Sequence, residues 1–116
     1  LGNQIYSRLY DFSKLTENVT GAKNIYILIN SSQNKNATAK NSAGKILGYR
    51  ISLSTAITAK DFMTGNEILN ETFSYSSTYK TQDEFFETKK LENQTIENLI
   101  NTTYQDLLIK LSEKLL

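Results

Sequence analysis

The sequence contains no cysteine and no histidine among its 116 residues. Without cysteine, the chain can form no disulfide, no thiolate metal site and no cysteine nucleophile. Without histidine, it lacks the side chain that most often acts as general base and as metal ligand. These two absences make an enzyme a poor interpretation of the sequence.

Long hydrophobic runs and an excess of one charge are also missing. No apolar stretch approaches the roughly 20 residues that a membrane-spanning helix needs. Thirteen basic and twelve acidic residues give a formal charge of +1, which argues against nucleic acid as the main ligand, because phosphate binding usually requires a basic excess. The chain shows no signal peptide and begins at Leu1, so we expect that the encoded start lies upstream and was removed.

The length and the hydrophobic content of 39% predict a single packed domain over residues 1–116 with a modest core. Near the amino terminus, Ile5, Leu9, Phe12 and Leu15 recur at helical spacing and predict a first helix that Gly21 ends.

The apolar run Asn24–Asn30 is rich in β-branched residues and predicts a strand covered on both faces. The polar stretch Ser31–Gly48 follows it and predicts a mobile loop, with strand extensions at its two ends.

The stretch Ile51–Tyr79 predicts a long hairpin whose two arms alternate around a turn at Thr64, Gly65 and Asn66. One face of each arm is apolar, and the other carries serine, threonine and asparagine. We interpret the hydroxyl-rich face as an exposed surface for partners, since nothing in the hairpin suggests chemistry. The residues expected toward the core are Tyr49, Ile51, Leu53, Thr55, Ile57, Ala59, Leu69, Phe73, Tyr75 and Tyr79.

The last third of the chain predicts one long amphipathic helix that begins near Gln82 with a capping box between Thr81 and Glu84. The order α-β-β-β-α predicts an α+β two-layer sandwich, with two helices packed on one face of a small, mainly antiparallel sheet. The apolar stripe of the helix comprises Ile96, Leu99, Ile100, Tyr104, Leu107, Leu108, Leu111 and Leu115.

The sequence contains no motif that indicates catalysis. Carboxylates are paired at Asp83, Glu84 and Glu87 and at Glu67 and Glu71, but acid–base catalysis needs one carboxyl with a raised pKa in a sheltered site. The first three are better explained as charges at a helix start. Nucleophile-elbow, phosphate-loop and calcium-loop patterns are absent, so we expect no catalytic residue, no cofactor and no metal. Six N-x-S/T sequons occur, and we attribute them to the high asparagine content and not to glycosylation. They lie at Asn18, Asn30, Asn36, Asn70, Asn93 and Asn101.

Several basic residues lie in or next to the predicted loops. The simpler interpretation is that they are ordinary solvent-exposed charges. The more specific interpretation is that they form a binding site for an anionic partner. The candidate residues are Lys35, Lys40, Lys45, Arg50, Lys80, Lys89 and Lys90.

The order of these segments resembles the LPS-assembly lipoproteins of Gram-negative outer membranes, which are small partners of the LPS-inserting β-barrel. The resemblance covers nearly the whole chain. It is carried by the strand NIYILIN, the polar loop, the strand YRISLSTAITAKD, the turn MTGNEIL, the strand TFSYSSTY and the closing helix ENLINTTYQDLLIKL.

That resemblance implies a lipid-modified cysteine and a further strand upstream, giving β-α-β-β-β-α. It also implies a periplasmic-side location at the outer membrane, a role as a non-enzymatic plug that helps assemble the barrel, and contact with LPS. The candidate basic residues would then meet either acidic residues of the barrel wall or LPS phosphates. The membrane would be reached only through the lipid anchor. The alternative is a free-standing periplasmic or secreted α+β domain that binds a ligand or another protein in an apolar pocket.

Overall fold

The computed structural model describes residues 25–115 of the chain, with the side chain of Leu115 left out. It contains three strands, β1 (Ile25–Lys40), β2 (Ile46–Asp61) and β3 (Glu67–Lys80), followed by the helix α1 (Phe85–Leu115). The strands form one antiparallel sheet in the order β1-β2-β3. The predicted α+β class is confirmed, and the first predicted helix lies outside the described residues.

Strand β1 corrects the prediction of a mobile loop after Asn30. Pairing with β2 continues from Asn30 opposite Ala56 to Ala37 opposite Tyr49, and β1 ends at Lys40. The connection to β2 is only a short turn, whose Asn41 side chain accepts hydrogen bonds from backbone N–H groups. The polar side chains of this segment are exposed, so backbone hydrogen bonds to β2 and not side-chain burial hold it in a strand. Such hydrogen bonds require no regular spacing of apolar residues, and the sequence therefore shows none.

The expectation that the start of β1 is covered on both faces was wrong. Ile25, Ile27 and Ile29 are half-buried on the inner face, which also carries the core. Tyr26 and Leu28 point to the outer face and are more than half exposed. The sheet therefore has one packed face and one open face, as antiparallel sheets commonly do.

The alternation predicted for β2 and β3 is confirmed. From Tyr49 to Ala59 in β2 and from Leu69 to Tyr79 in β3, odd-numbered residues face the core side and even-numbered residues face outward. The start of β2 departs from this alternation, because Leu47 is exposed and Gly48 is buried. Regular pairing is interrupted between Ala37 and Ala39 and between Ala39 and Lys40 of β1, and again between Ala59 and Lys60 of β2. The buried apolar core comprises Ile51, Leu53, Ile57, Ala59, Leu69, Phe73, Tyr79, Leu99, Ile100, Leu107 and Leu111.

Helix α1 packs its apolar stripe mainly on β3 and less on β2. The stripe is confirmed from Ile96 to Leu111, with Leu99, Ile100 and Leu107 buried. No helix of residues 25–115 is long and apolar enough to cross a membrane.

The predicted capping box does not form. Thr81 continues the sheet instead: its hydroxyl donates to the Ile46 carbonyl and its N–H to the Leu47 carbonyl. The helix begins only at Phe85, so Asp83 and Glu84 precede it and Glu87 alone stands in its first turn. The Thr81 side chain therefore hydrogen-bonds to β2 and does not cap the helix.

Candidate functional site

All seven candidate basic residues lie at one end of the molecule, where the β1–β2 turn meets the start of α1; we call this the basic end. Lys40 and Lys45 flank the turn itself. Lys35 and Arg50 stand one step further along the sheet, opposite Ile51 and Asn36. The sequence therefore identified a set of residues that the fold brings to the same region.

The remaining three candidates reach the basic end from β3 and α1. Lys80 is the last residue of β3 and pairs with Gly48. Helix α1 runs antiparallel to β3, since Lys110 lies near Glu71 and Asp106 near Tyr75 further along the sheet. Its first turns, with Lys89 and Lys90, must then lie at the basic end.

Charge is unevenly distributed between the two ends of the described chain. The half with the basic end contains seven basic residues against five acidic ones, a net charge of +2. The opposite half contains three basic residues against five acidic ones, a net charge of −2. A chain that is nearly neutral overall thus presents a field that attracts anions at one end.

Two of the candidate lysines share one carboxylate on the inner side of the basic end. Lys35 Nζ lies 3.2 Å from Glu92 Oε1, and Lys89 Nζ lies 3.2 Å from Glu92 Oε2. The Lys35 ammonium also lies 4.4 Å from the ring centroid of Tyr49, a cation–π distance. Tyr49 stacks on Tyr79 with ring centroids 5.7 Å apart. We call these five residues the lysine–tyrosine cluster.

The cluster perturbs two titrating groups in opposite directions. Burial raises the pKa of Glu92, but the ammonium groups of Lys89 and Lys35 outweigh burial and hold it below its ordinary value. Burial lowers the pKa of Lys35, yet the nearby Tyr79 hydroxyl and Glu92 carboxylate raise it above its ordinary value. Both charged forms are therefore favoured in the folded state.

The charges of the lysine–tyrosine cluster do not cancel. Two ammonium groups face one carboxylate, so one positive charge is left over. The Tyr79 hydroxyl is buried beside the Lys35 ammonium. Among these residues the other five candidate cations, Lys40, Lys45, Arg50, Lys80 and Lys90, form no salt bridge. The basic end can therefore accept additional negative charge.

Exposed aromatic side chains at the same end were missed by the sequence reasoning. Phe85 and Phe86, at the start of α1, are 83% and 72% exposed, and Leu47 is also exposed nearby on β2. Their exposure could have been inferred from the sequence, because both phenylalanines precede the apolar stripe of α1 and so are not part of the face that packs on the sheet. The basic end thus combines cationic and apolar groups.

The outer face of the sheet confirms the predicted hydroxyl-rich surface. Ser32, Ser54 and Ser74 stand side by side across the three strands, and the hydroxyls of Ser54 and Ser74 lie 3.1 Å apart. They line a shallow open depression of about 250 Å³. Its complete lining is Ser32, Asn34, Ser52, Leu53, Ser54, Ser74, Tyr75 and Ser76.

The candidate basic residues divide between surfaces. Lys35 and Lys89 belong to the inner, helix-bearing side, whereas Arg50 and Lys80 stand on the outer face. Within residues 25–115, no group of three or more side chains is arranged to hold a metal ion. The arrangement is suited to docking an anionic or polar partner over a broad surface.

Comparisons with known proteins give a fold but no sequence family. No family model matches the chain, and no curated protein matches its sequence. Among solved structures, the chain is similar to the crystal structure of rare lipoprotein B from Shewanella oneidensis, with a TM-score of 0.74. The match covers 94% of this chain and 85% of that protein at 10% sequence identity, so it establishes a shared fold.

Proposed function

We propose that this protein is a non-enzymatic outer-membrane lipoprotein that plugs the LPS-inserting β-barrel, helps it to assemble and contacts LPS. The observation that carries the proposal is the likeness in fold to a lipoprotein over 94% of the chain. The order of strands and helices by which the sequence resembles the LPS-assembly lipoproteins supports it independently. A lipid anchor upstream of Leu1 belongs to the same proposal.

The outer face of the sheet is suited to the lumen of a barrel. The interior wall of such a barrel is polar. A surface of short hydroxyl and amide side chains, such as Ser54 and Ser74, can exchange hydrogen bonds with polar side chains at little entropic cost, because its own side chains are short. The face is also open and only shallowly concave, which allows a broad wall to approach it.

The basic end is suited to an anionic amphiphile. Phosphate groups would pair with the cations that have no carboxylate partner within residues 25–115, such as Arg50 and Lys80. The exposed rings of Phe85 and Phe86 would contact acyl chains. This combination explains why cationic and apolar groups occur together at the end where no core requires them.

The test is co-purification of the full-length protein with the LPS-inserting barrel of its organism from detergent-solubilised outer membranes. We expect a stable stoichiometric complex. Ser54→Tyr together with Ser74→Tyr should weaken it by filling the depression, while Ile109→Tyr, on the exposed side of α1, should not. All variants should keep the circular dichroism of the parent.

Recovery of the barrel intact without this protein would overturn the proposal. A free monomer under those conditions would favour a self-standing periplasmic binding domain. LPS contact is tested separately, by binding of purified LPS to Arg50→Ala with Lys80→Ala, against Lys114→Ala at the opposite end as control. Equal affinity of the two variants would remove LPS from the proposal.

A further inference from the structure

We propose that the β2–β3 turn anchors this protein to the barrel by placing two apolar side chains in a pocket of the barrel protein. Phe62 and Met63 lie in this turn, at the end opposite the basic end, and are 69% and 79% exposed. Large apolar side chains that are adjacent and exposed to water are costly, and burial in a partner removes that cost. The inference rests on the proposed function, because it names the residues that hold the same partner.

The hydroxyl-rich outer face can position a partner but supplies little binding free energy. Each hydrogen bond that Ser54 or Ser74 would make to the barrel wall replaces a hydrogen bond to water, so the net gain is small. Protein complexes take most of their binding free energy from a few large side chains that enter pockets of the partner. A surface of short hydroxyl groups therefore needs an apolar anchor elsewhere on the molecule.

Hydrogen bonds within the turn fix its conformation. The Asp61 carboxylate accepts hydrogen bonds from the N–H groups of Met63 and Thr64, at 2.8 and 3.3 Å. The Gly65 N–H donates to the Asp61 carbonyl, and Gly65 has the positive φ of 73° that favours glycine. The Thr64 hydroxyl accepts from the Asn66 N–H at 3.2 Å. A turn that already has one conformation loses little entropy on docking, so its exposed side chains are effective anchors.

The charges around the turn indicate the chemistry of the pocket. Residues 60–67 contain two acids, Asp61 and Glu67, and one base, Lys60. Glu67 is exposed and forms no salt bridge within residues 25–115, whereas Glu71, further along β3, lies 3.8 Å from Lys110. Complementary charge on the partner is therefore positive. We assign to the turn an apolar pocket of the barrel protein with lysine or arginine at its rim.

Phe85 and Phe86 are similarly exposed but suit a different partner. They lie at the basic end, in the half of the described chain that has seven basic and five acidic residues. The half that contains the turn has three basic and five acidic residues, so an anionic amphiphile or an anionic lipid surface would be repelled there. The two pairs of exposed apolar side chains are thus separated by the charge around them.

The test is competition for the barrel in cells that produce two differently tagged full-length forms, the parent and a variant. Complexes are purified through the barrel, and mass spectrometry measures the ratio of variant to parent. Phe62→Ser with Met63→Ser should lower this ratio roughly thirty-fold, the effect of losing a dominant interface residue. Phe85→Ser with Phe86→Ser, the matched control at the basic end, should leave the ratio unchanged.

A second pair of variants tests the charge of the pocket rim. Glu67→Lys should lower the ratio by a smaller factor, because the new ammonium group would face the cationic rim. Glu87→Lys makes the same change of charge in the first turn of α1 and should have no effect. All four positions near the turn and at the start of α1 that carry apolar changes are exposed, so the variants should keep the circular dichroism of the parent.

Photo-crosslinking identifies what the turn contacts. Benzoylphenylalanine in place of Phe62 should form an adduct with the barrel protein when cells are irradiated. An adduct with lipid alone or with a second copy of this chain alone would overturn the inference. A ratio near one for Phe62→Ser with Met63→Ser, or an equal loss for the control pair, would also overturn it and leave the proposed function intact. Failure of the parent itself to co-purify would overturn both.

Discussion

The Lys35 ammonium lies 3.2 Å from the Glu92 carboxylate and so connects β1 to α1. The apolar stripe of α1 packs chiefly on β3 and to a lesser degree on β2. The distal part of β1 is exposed along its length and is attached to the rest of the fold by pairing with β2. The ion pair therefore adds a side-chain contact to a part of the sheet that the core does not reach.

Replacing Glu92 with glutamine should destabilise the fold at neutral pH by about 1 kcal/mol, the usual scale for partly exposed ion pairs. The change keeps the shape of the side chain and removes the charge that Lys35 and Lys89 share. Denaturant unfolding measures the difference. Glu97→Gln is the control, because Glu97 is exposed on the same helix and forms no salt bridge in the described residues.

The same variant should change the dependence of stability on pH. The pKa of Glu92 is lowered by folding, so its contribution is present above the unfolded pKa and is lost as the pH falls through the folded value. The pKa of Lys35 is raised above 10.5, so its contribution is present below that value and is lost at higher pH. The gap between parent and Glu92→Gln should narrow at both extremes, and parallel curves would contradict the assignment.

Leu107→Asp or Leu111→Asp should unfold the domain. Both leucines are buried on the stripe of α1, and an unpaired carboxylate there costs several kcal/mol, roughly the whole stability of a small domain. Ile109→Asp tests the direction of the stripe, because Ile109 lies on the same helix and is 57% exposed. Thermal unfolding should show a folded Ile109 variant, and an unchanged melting temperature for Leu107→Asp would refute the stripe.

The parts of the fold that bury side chains were predictable from the sequence. Ile51, Leu53 and Ile57 alternate with small polar residues because one face of β2 is buried and the other faces water. Leu107 and Leu111 recur at helical spacing for the same reason. Burial of one face produces a regular spacing of apolar residues along the sequence, and that spacing predicted β2, β3 and α1.

The parts held by backbone pairing were not predictable. The second half of β1 has the sequence pattern of a loop, because its side chains are exposed on both faces. It is a strand because its backbone pairs with β2. Thr81 has the sequence signature of a helix cap, yet its hydroxyl bonds to Ile46, a partner distant in the chain. Local sequence cannot reveal which of two hydrogen-bonding alternatives the tertiary structure selects.

The seven candidate cations could be selected from the sequence, but their arrangement in space could not. Composition and loop position selected seven cations, and the topology brings them to one end. No pattern in the sequence indicated that Lys35 and Lys89 would both pair with Glu92, or that Arg50 would lie on the opposite face. Strand register decides that division, and register depends on pairing over the whole length of β1.

Gly48→Ala should destabilise the sheet by about 1–2 kcal/mol through overpacking. A Cβ at this position would lie 3.0 Å from Thr38 Oγ1 and 3.3 Å from the Tyr79 carbonyl oxygen. Thr38→Ala in the same chain removes the closer atom and should restore part of the loss, so the two changes should be coupled in a double-mutant cycle. Purely additive effects would show that the Tyr79 carbonyl, and not Thr38, limits the space.

Tyr75→Phe should remove a link between β3 and α1, because the Tyr75 hydroxyl donates to the Asp106 carboxylate. The loss should be about 1–2 kcal/mol at neutral pH, the range for a hydrogen bond to a charged group. Burial, together with the neighbouring Asp106, raises the pKa of Tyr75 to about 12. Its contribution is therefore complete below an unfolded pKa of about 10 and declines as the pH rises toward 12.

Denaturant unfolding across alkaline pH tests this sign. The free energies of unfolding of the parent and Tyr75→Phe should converge between about pH 10 and pH 12, and one tyrosine of the parent should ionise late in an ultraviolet titration. Tyr26→Phe serves as the control, because its ring is exposed on the outer face and its loss should leave stability unchanged. A constant difference between parent and Tyr75→Phe would mean that packing of the ring, and not its bond to Asp106, connects β3 to the helix.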